Sequence, residues 1–201
     1  MKTKNQILWI TQTAMLLGLT IATQYYVTSA LSFNTYLSQI VVGSLVNLFL
    51  IISVVTCGFF SGLSISVLAP FISFFVGRMP HIWMIPFVAL GNTAIVFVFW
   101  LICRKKILGS SFLINWAVAS VLGPLLKFGV LWLGVTQIFV KLILINDGSL
   151  QPQQIGRMSE IISFNFSFLQ LITAFSGCIL AYTIYPALKK AVIAKPLNSE
   201  N

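Results

Sequence analysis

The sequence predicts an all-α integral membrane protein with six transmembrane helices. Of its 201 residues, 58% are hydrophobic and only 7% are charged, whereas water-soluble domains are about one-quarter charged. Apolar runs of about 18 residues or more recur along the chain, which is enough to cross the ~30 Å hydrocarbon core of a bilayer at ~1.5 Å per helical residue. We therefore expect one membrane domain over residues 1–201.

Polar turns divide the chain into spans at about residues 7–30, 38–57, 59–76, 82–103, 112–133 and 160–185. Residues 134–145 are also apolar, so the fifth helix is expected either to exceed the membrane or to break near Gly134. Gly123-Pro124 predicts a kink within it. The first run resembles a signal peptide but is longer than a signal core, and we expect it to be retained. Residues 195–201 are expected to be disordered.

The distribution of basic residues predicts the orientation, because lysine and arginine accumulate in cytoplasmic loops. With the N-terminus inside, the inner ends carry Lys2, Lys4, Arg104, Lys105, Lys106, Lys189, Lys190 and Lys195. The outer loops carry only Arg78 and Arg157. Both termini are thus expected in the cytoplasm, and the net charge of +9 follows from topology rather than from nucleic-acid binding.

Four polar residues are predicted to lie at similar depth. Asn47, Asn92 and Gln170 fall about nine to eleven residues, or roughly 14–16 Å, below the outer ends of their spans, and Lys127 reaches the same level or the outer half. A lysine at that depth is costly and marks a functional site by default, so these groups are expected to line a pocket open to the outside. The alternative, favoured for Asn47, is that the amides only make interhelical hydrogen bonds worth about 1 kcal/mol or less.

Small residues form a stripe on the first span, where Ala14, Gly18 and Ala22 recur every four residues. Spacing alone favours packing inside this bundle, although a stripe that faces another subunit has the same pattern.

No catalytic or metal site is expected. The chain has no Gly-rich loop ending in Gly-Lys-Ser/Thr. Ser61-Gly62 lacks the preceding glycine of an intramembrane serine protease, and no later span carries a histidine to act as the base. The lone histidine, His81, falls in an outer turn without metal partners. Cys57, Cys103 and Cys178 show no paired spacing and are interpreted as reduced, packed thiols.

Several segments occur in an order typical of one family: TAMLLG (13–18), GSLVNL (43–48), LAPFIS (68–73), IPFVALGN (85–92), LKF (126–128) and QLITA (170–174). Together they resemble the S components of energy-coupling factor (ECF) transporters, and the resemblance covers nearly the whole chain. It implies a six-helix bundle in a bacterial or archaeal cell membrane. Such a subunit binds a vitamin or vitamin precursor from outside and docks on a transmembrane T component with two cytoplasmic ATPases. ATP is used by those partners, and no cofactor is expected in this chain.

The resemblance also implies two sets of functional residues. Substrate binding is expected at Asn47, Arg78, His81, Asn92, Lys127 and Gln170. Docking on the T component is expected through the first helix, where the family's Ala-x-x-x-Ala stripe corresponds to Ala14 and Gly18 and continues to Ala22. Glycine in place of the second alanine keeps this face smooth.

Two other functions stay open. A stand-alone secondary transporter or channel is disfavoured because no inverted repeat is visible and the spans lack buried acidic residues for ion coupling. A membrane enzyme or assembly factor is disfavoured because no acid–base pair is found. The sequence does not specify the vitamin.

Overall fold

The computed structural model describes residues 2–145 and 151–190, and these ranges are almost entirely helical without any strand. The main helices are α1 (Lys2–Ala22), α2 (Thr35–Thr56), α3 (Phe59–Phe75), α4 (Ile85–Phe99), α5 (Phe112–Leu131), α6 (Pro152–Phe166) and α7 (Phe168–Leu188). The expected tail at 195–201 lies outside the described residues.

Short stretches of other helical geometry lengthen several of these helices. α1 continues through a π-helical turn, Thr23–Val27, into Thr28–Ala30, and α5 continues through a long π-helical segment, Trp132–Leu144. α4 is preceded by a 3₁₀ turn, Ile82–Met84, and followed by a π turn, Trp100–Arg104. These extensions keep the backbone hydrogen-bonded, which a lipid environment requires.

The helices have the length and composition of membrane spans. Within residues 2–145 and 151–190, five continuous segments are long and apolar enough to cross a bilayer: Gln6–Ala30, Thr35–Thr56, Ile82–Arg104, Phe112–Leu142 and Gln153–Leu188. The sixth apolar helix, Phe59–Phe75, has 17 residues and is slightly shorter. The all-helical, multi-pass character is thereby confirmed, whereas six spans and cytoplasmic termini stay predictions.

Two helix boundaries differ from the expected spans. The fifth helix extends beyond the expected span to Leu144, which agrees with the longer of the two alternatives for residues 134–145, and it changes to π geometry at Trp132. The helix before α7 begins at Pro152, ahead of the expected start at residue 160, because Gln151 and Gln154 cap each other's backbone and Pro152 occupies the first turn. The helix therefore also includes amphipathic residues that precede the apolar part of the sixth span.

Within the described ranges, two apolar clusters make up the core, and α4 and α5 contribute buried residues to both. The larger core contains Leu50, Ile65, Phe99, Trp116 and Cys178. The smaller core contains Met84, Val88, Leu131, Phe139 and Ile162. On α4 and α5 the residues between the two clusters include Asn92 and Lys127, so a polar layer separates the cores.

Glycines allow the helices around this layer to approach closely. A Cβ atom on Gly177 of α7 would lie 2.5 Å from the Asn47 Cβ on α2. A Cβ atom on Gly62 of α3 would lie 2.7 Å from a methyl group of Val96 on α4. Both contacts are shorter than side chains tolerate, so the small residues set the spacing of these helix pairs.

Candidate functional site

A polar cavity lies in the layer between the two cores. Its polar lining consists of Gln24, Asn47, Ser73, Arg78, Asn92, Lys127 and Gln170. The cavity has an open volume of about 60 Å³. That space accommodates roughly four to six water molecules. The chain thus brings together side chains from the extension of α1, from α2 to α5 and from α7 around one small polar space.

Lys127 is held at the cavity by Asn47. Its side chain is 2% exposed, and its Nζ donates a hydrogen bond of 2.7 Å to the Asn47 Oδ1. Asn47 is oriented in turn by its own Nδ2, which donates to the Gly43 carbonyl at 2.8 Å and to the Thr173 Oγ1 at 3.5 Å. Asn47 therefore makes the interhelical hydrogen bonds predicted for it and also positions the buried ammonium.

No acidic side chain balances this charge within the described residues. Glu160 is the one acidic residue in those ranges, and it is exposed. A buried charge without a partner is costly, because the hydrogen bonds and ion–dipole interactions of water are lost. The polar cavity therefore carries an uncompensated cation on the part of the chain that the structure describes.

Three amide side chains at the cavity keep hydrogen-bonding capacity. Asn92 is 3% exposed, yet neither its side chain nor that of Gln170 makes a hydrogen bond within residues 2–145 and 151–190. Gln24 uses its Nε2 to donate to the Ala69 carbonyl at 3.2 Å, while its buried Oε1 has no partner in those ranges. Asn92 and Gln170 therefore keep both donors and acceptors for the cavity, and Gln24 keeps an acceptor.

Arg78 closes the cavity at the end of the bundle formed by residues 31–34 and 77–81, which we call the Arg78 end. Its Nη1 donates to the Thr28 Oγ1 at 2.7 Å and to the Ser38 Oγ at 3.4 Å, which joins the turn after α3 to the first two helices. Burial lowers the pKa of the Arg78 guanidinium to about 10, so the side chain remains cationic at neutral pH. Arg78 is thus both a second cation and a tie between three segments.

A second cavity continues from the first toward α6. It has the same open volume, about 60 Å³, and shares Arg78, Ser73 and Gln170 with the polar cavity. Its lining also includes Asn165, whose Oδ1 has no hydrogen-bond partner among the described residues. Arg78 and Gln170 lie at the boundary between the two spaces.

Five of the six expected substrate-binding residues meet at the polar cavity, and His81 does not line either space. Its Nδ1 accepts a hydrogen bond from the Trp83 backbone N–H at 3.3 Å, and its ring lies 5.3 Å from that of Phe139. Sequence reasoning did not find Gln24 or Ser73. The available signal for Gln24 was the presence of a glutamine in the predominantly apolar first span. That span was not among those whose polar residues were compared by depth.

The small-residue stripe on α1 faces away from the bundle. Ala14 and Gly18 are exposed and Ala22 is partly buried, and a Cβ atom on Gly18 would meet no atom within 4 Å. The neighbouring Thr13 faces inward, where its Oγ1 donates to the Ser61 Oγ at 2.8 Å. Packing inside the bundle therefore does not account for Ala14 and Gly18.

The cysteines and the other candidate ligands form no metal site in the described ranges, where no group of three or more His, Cys, Asp or Glu side chains could hold an ion. Cys57, Cys103 and Cys178 are free thiols. Comparison with known protein families, characterised proteins and solved structures found no match to this chain.

Proposed function

We propose that this chain is the substrate-binding S component of an ECF-type importer in a bacterial or archaeal cell membrane, with both termini in the cytoplasm. It captures a vitamin or vitamin precursor from outside and delivers it by docking on a T component with two ATPases. The observation that carries the proposal is the polar cavity, where a buried lysine, held by Asn47, and the amides of Asn92 and Gln170, unpaired among the described residues, line an open space. Such convergent polar groups in an otherwise apolar site are typical of ligand recognition.

Substrate entry requires the Arg78 end to open. Small-molecule sites usually measure about 300–1,000 Å³, and the open space here is about 60 Å³. The hydrogen bonds from Arg78 to Thr28 and Ser38 hold the segments that cover the cavity. We assign the structure to a closed, contracted state, and entry to the release of these bonds.

The exposed stripe supports the second half of the proposal. Ala14 and Gly18 give α1 a smooth outer face on which another transmembrane helix can pack closely. The described residues contain no buried acidic side chain of the kind that couples secondary transport to ion gradients. A separate energising module therefore fits the chain better than gradient-driven transport.

The test is reconstitution of the purified chain into liposomes. The proposal predicts saturable, ATP-independent binding of a vitamin and no accumulation until the T component and ATPases are added. Accumulation by this chain alone under an ion gradient would support the secondary-transporter alternative instead. If the chain neither binds nor accumulates any vitamin, that result would contradict both transport functions.

A further inference from the structure

The charges around the polar cavity are all of one sign among the described residues. Lys127 and Arg78 both line it. Glu160, the one acidic residue in the described ranges, is exposed on the outside of the bundle. Burial of a cation is compensated most effectively by an anion in direct contact. A substrate that carries negative charge supplies what the protein itself lacks at this place.

The hydrogen-bonding capacity of Lys127 narrows the kind of anion. An ammonium has three N–H donors, and within the described ranges Lys127 uses one of them, on Asn47. Two donors remain, which matches the two oxygens of a carboxylate. A phosphate group presents three oxygens and up to two charges, and its usual cradles are helix N-termini or glycine-rich loops, whereas Asn47, Asn92 and Lys127 lie in the interiors of their helices.

The other residues that line the cavity indicate the chemical character of the rest of the substrate. Val42, Val46 and Val88 form apolar walls, and the unpaired Oε1 of Gln24 accepts hydrogen bonds. The side chains of Asn92 and Gln170 can both donate and accept. This combination suits a compact, partly apolar body with at least one hydroxyl or N–H group.

We infer that the substrate is a compact organic monocarboxylate, held at its carboxylate by Lys127 and carrying a hydroxyl or N–H donor for Gln24. This inference rests on the proposed function, since it names the substrate class of the same cavity. Asn47 continues to orient the Lys127 ammonium. The two other N–H donors of the ammonium bind the carboxylate in place of water. Specificity then depends on charge, because a neutral isostere leaves Lys127 buried without a counterion.

The experiment measures binding to the full chain in lipid nanodiscs by thermal shift and calorimetry. The probes are acids paired with neutral counterparts. Pantothenate with pantothenol, and biotin with its amide, carry the hydroxyl or N–H donor expected for Gln24, whereas nicotinate with nicotinamide, and lipoate with lipoamide, test a carboxylate without that donor. Thiamine, riboflavin and pyridoxine complete the panel as vitamins without a carboxylate. We expect one acid to bind at least tenfold more tightly than its neutral counterpart, which corresponds to about 1.4 kcal/mol.

Two variants separate a direct contact from a general effect of charge. Lys127→Met preserves the length of the side chain and is expected to remove the preference for the acid while leaving the affinity of the neutral counterpart within about twofold. Lys141→Met removes an exposed lysine from the same helix and is expected to change neither affinity. Equal affinity of acid and neutral counterpart for the wild-type chain overturns the inference even if the variants fail to fold.

The outcomes distinguish this inference from the proposed function. Tight binding of a vitamin without a carboxylate, with no acid of the panel bound, overturns the monocarboxylate assignment and leaves the binding function standing. No binding by any member of the panel overturns both.

Discussion

Replacement of Gly177 by alanine is expected to disturb the site through the packing of its helices. The new Cβ atom would lie 2.5 Å from the Asn47 Cβ, 3.0 Å from the Ser44 carbonyl oxygen and 3.1 Å from the Leu48 nitrogen. Two of these atoms belong to the backbone, so no side-chain rotation relieves the contact. Carbon atoms normally approach to about 3.5–4.0 Å, and α7 must therefore move away from α2 by roughly 1 Å.

This movement has two measurable consequences. Overpacking of this size destabilises a protein by about 1–3 kcal/mol, and each kcal/mol lowers Tm by about 2–4 °C in a chain of this length. The hydrogen bond from Asn47 to the Thr173 Oγ1, already 3.5 Å long, is lost as the helices separate. The Asn47 Nδ2 then keeps only its bond to the Gly43 carbonyl and Asn47 orients Lys127 less firmly, so substrate affinity is expected to fall at least tenfold.

The assay compares thermal unfolding and substrate binding of Gly177→Ala with those of Gly129→Ala. A Cβ atom on Gly129 meets nothing within 4 Å, and alanine is favoured over glycine in helices by up to about 1 kcal/mol. The control is therefore expected to be as stable as the wild type or more so. Equal Tm and equal affinity for the two variants would refute the packing argument.

Three further substitutions test separate parts of the account. Gly18→Trp fills open space, so substrate binding is expected to be unchanged while co-purification with the T component is lost. Leu19→Trp, on a neighbouring face, is the control. Normal assembly of the Gly18 variant with the T component would refute the docking face. Arg78→Gln removes the ties at the Arg78 end, and we expect stopped-flow measurements to show at least tenfold faster substrate release; an unchanged rate would contradict the role of Arg78 in closure. Asn47→Leu leaves Lys127 without its hydrogen-bond acceptor among the described residues, and thermal melts are expected to show destabilisation of about 1.5–3 kcal/mol, whereas a wild-type Tm would mean that the bond is dispensable.

The helices and the polar layer could be predicted because both depend on local properties of the sequence. The length of an apolar run decides whether it crosses a membrane, and the residue number within a run gives depth at ~1.5 Å per residue. Lys127 and Asn47 are 80 positions apart in the chain, yet depth alone placed them at one level. The polar layer between the two cores could therefore be predicted from the depth of each polar residue in its span.

The directions of individual side chains could not be predicted in the same way. Helical period puts Ala14 and Gly18 on one face of α1 but does not say whether that face is inside or outside. Gln24 reaches the Ala69 carbonyl from a π-helical turn, whose geometry changes the period on which sequence reasoning depends. His81 lies three residues from Arg78, but its ring packs on Phe139 of the π-helical extension of α5, a segment whose conformation the sequence left open.

Native mass spectrometry of the purified chain, with extraction and identification of any bound small molecule, tests the central claim most directly. The account predicts one small molecule per chain, retained without ATP, with a mass and fragmentation pattern that identify a vitamin or vitamin precursor bearing a carboxylate. A chain that purifies empty and shows no shift in Tm with any vitamin of the panel would contradict the binding role assigned to the polar cavity.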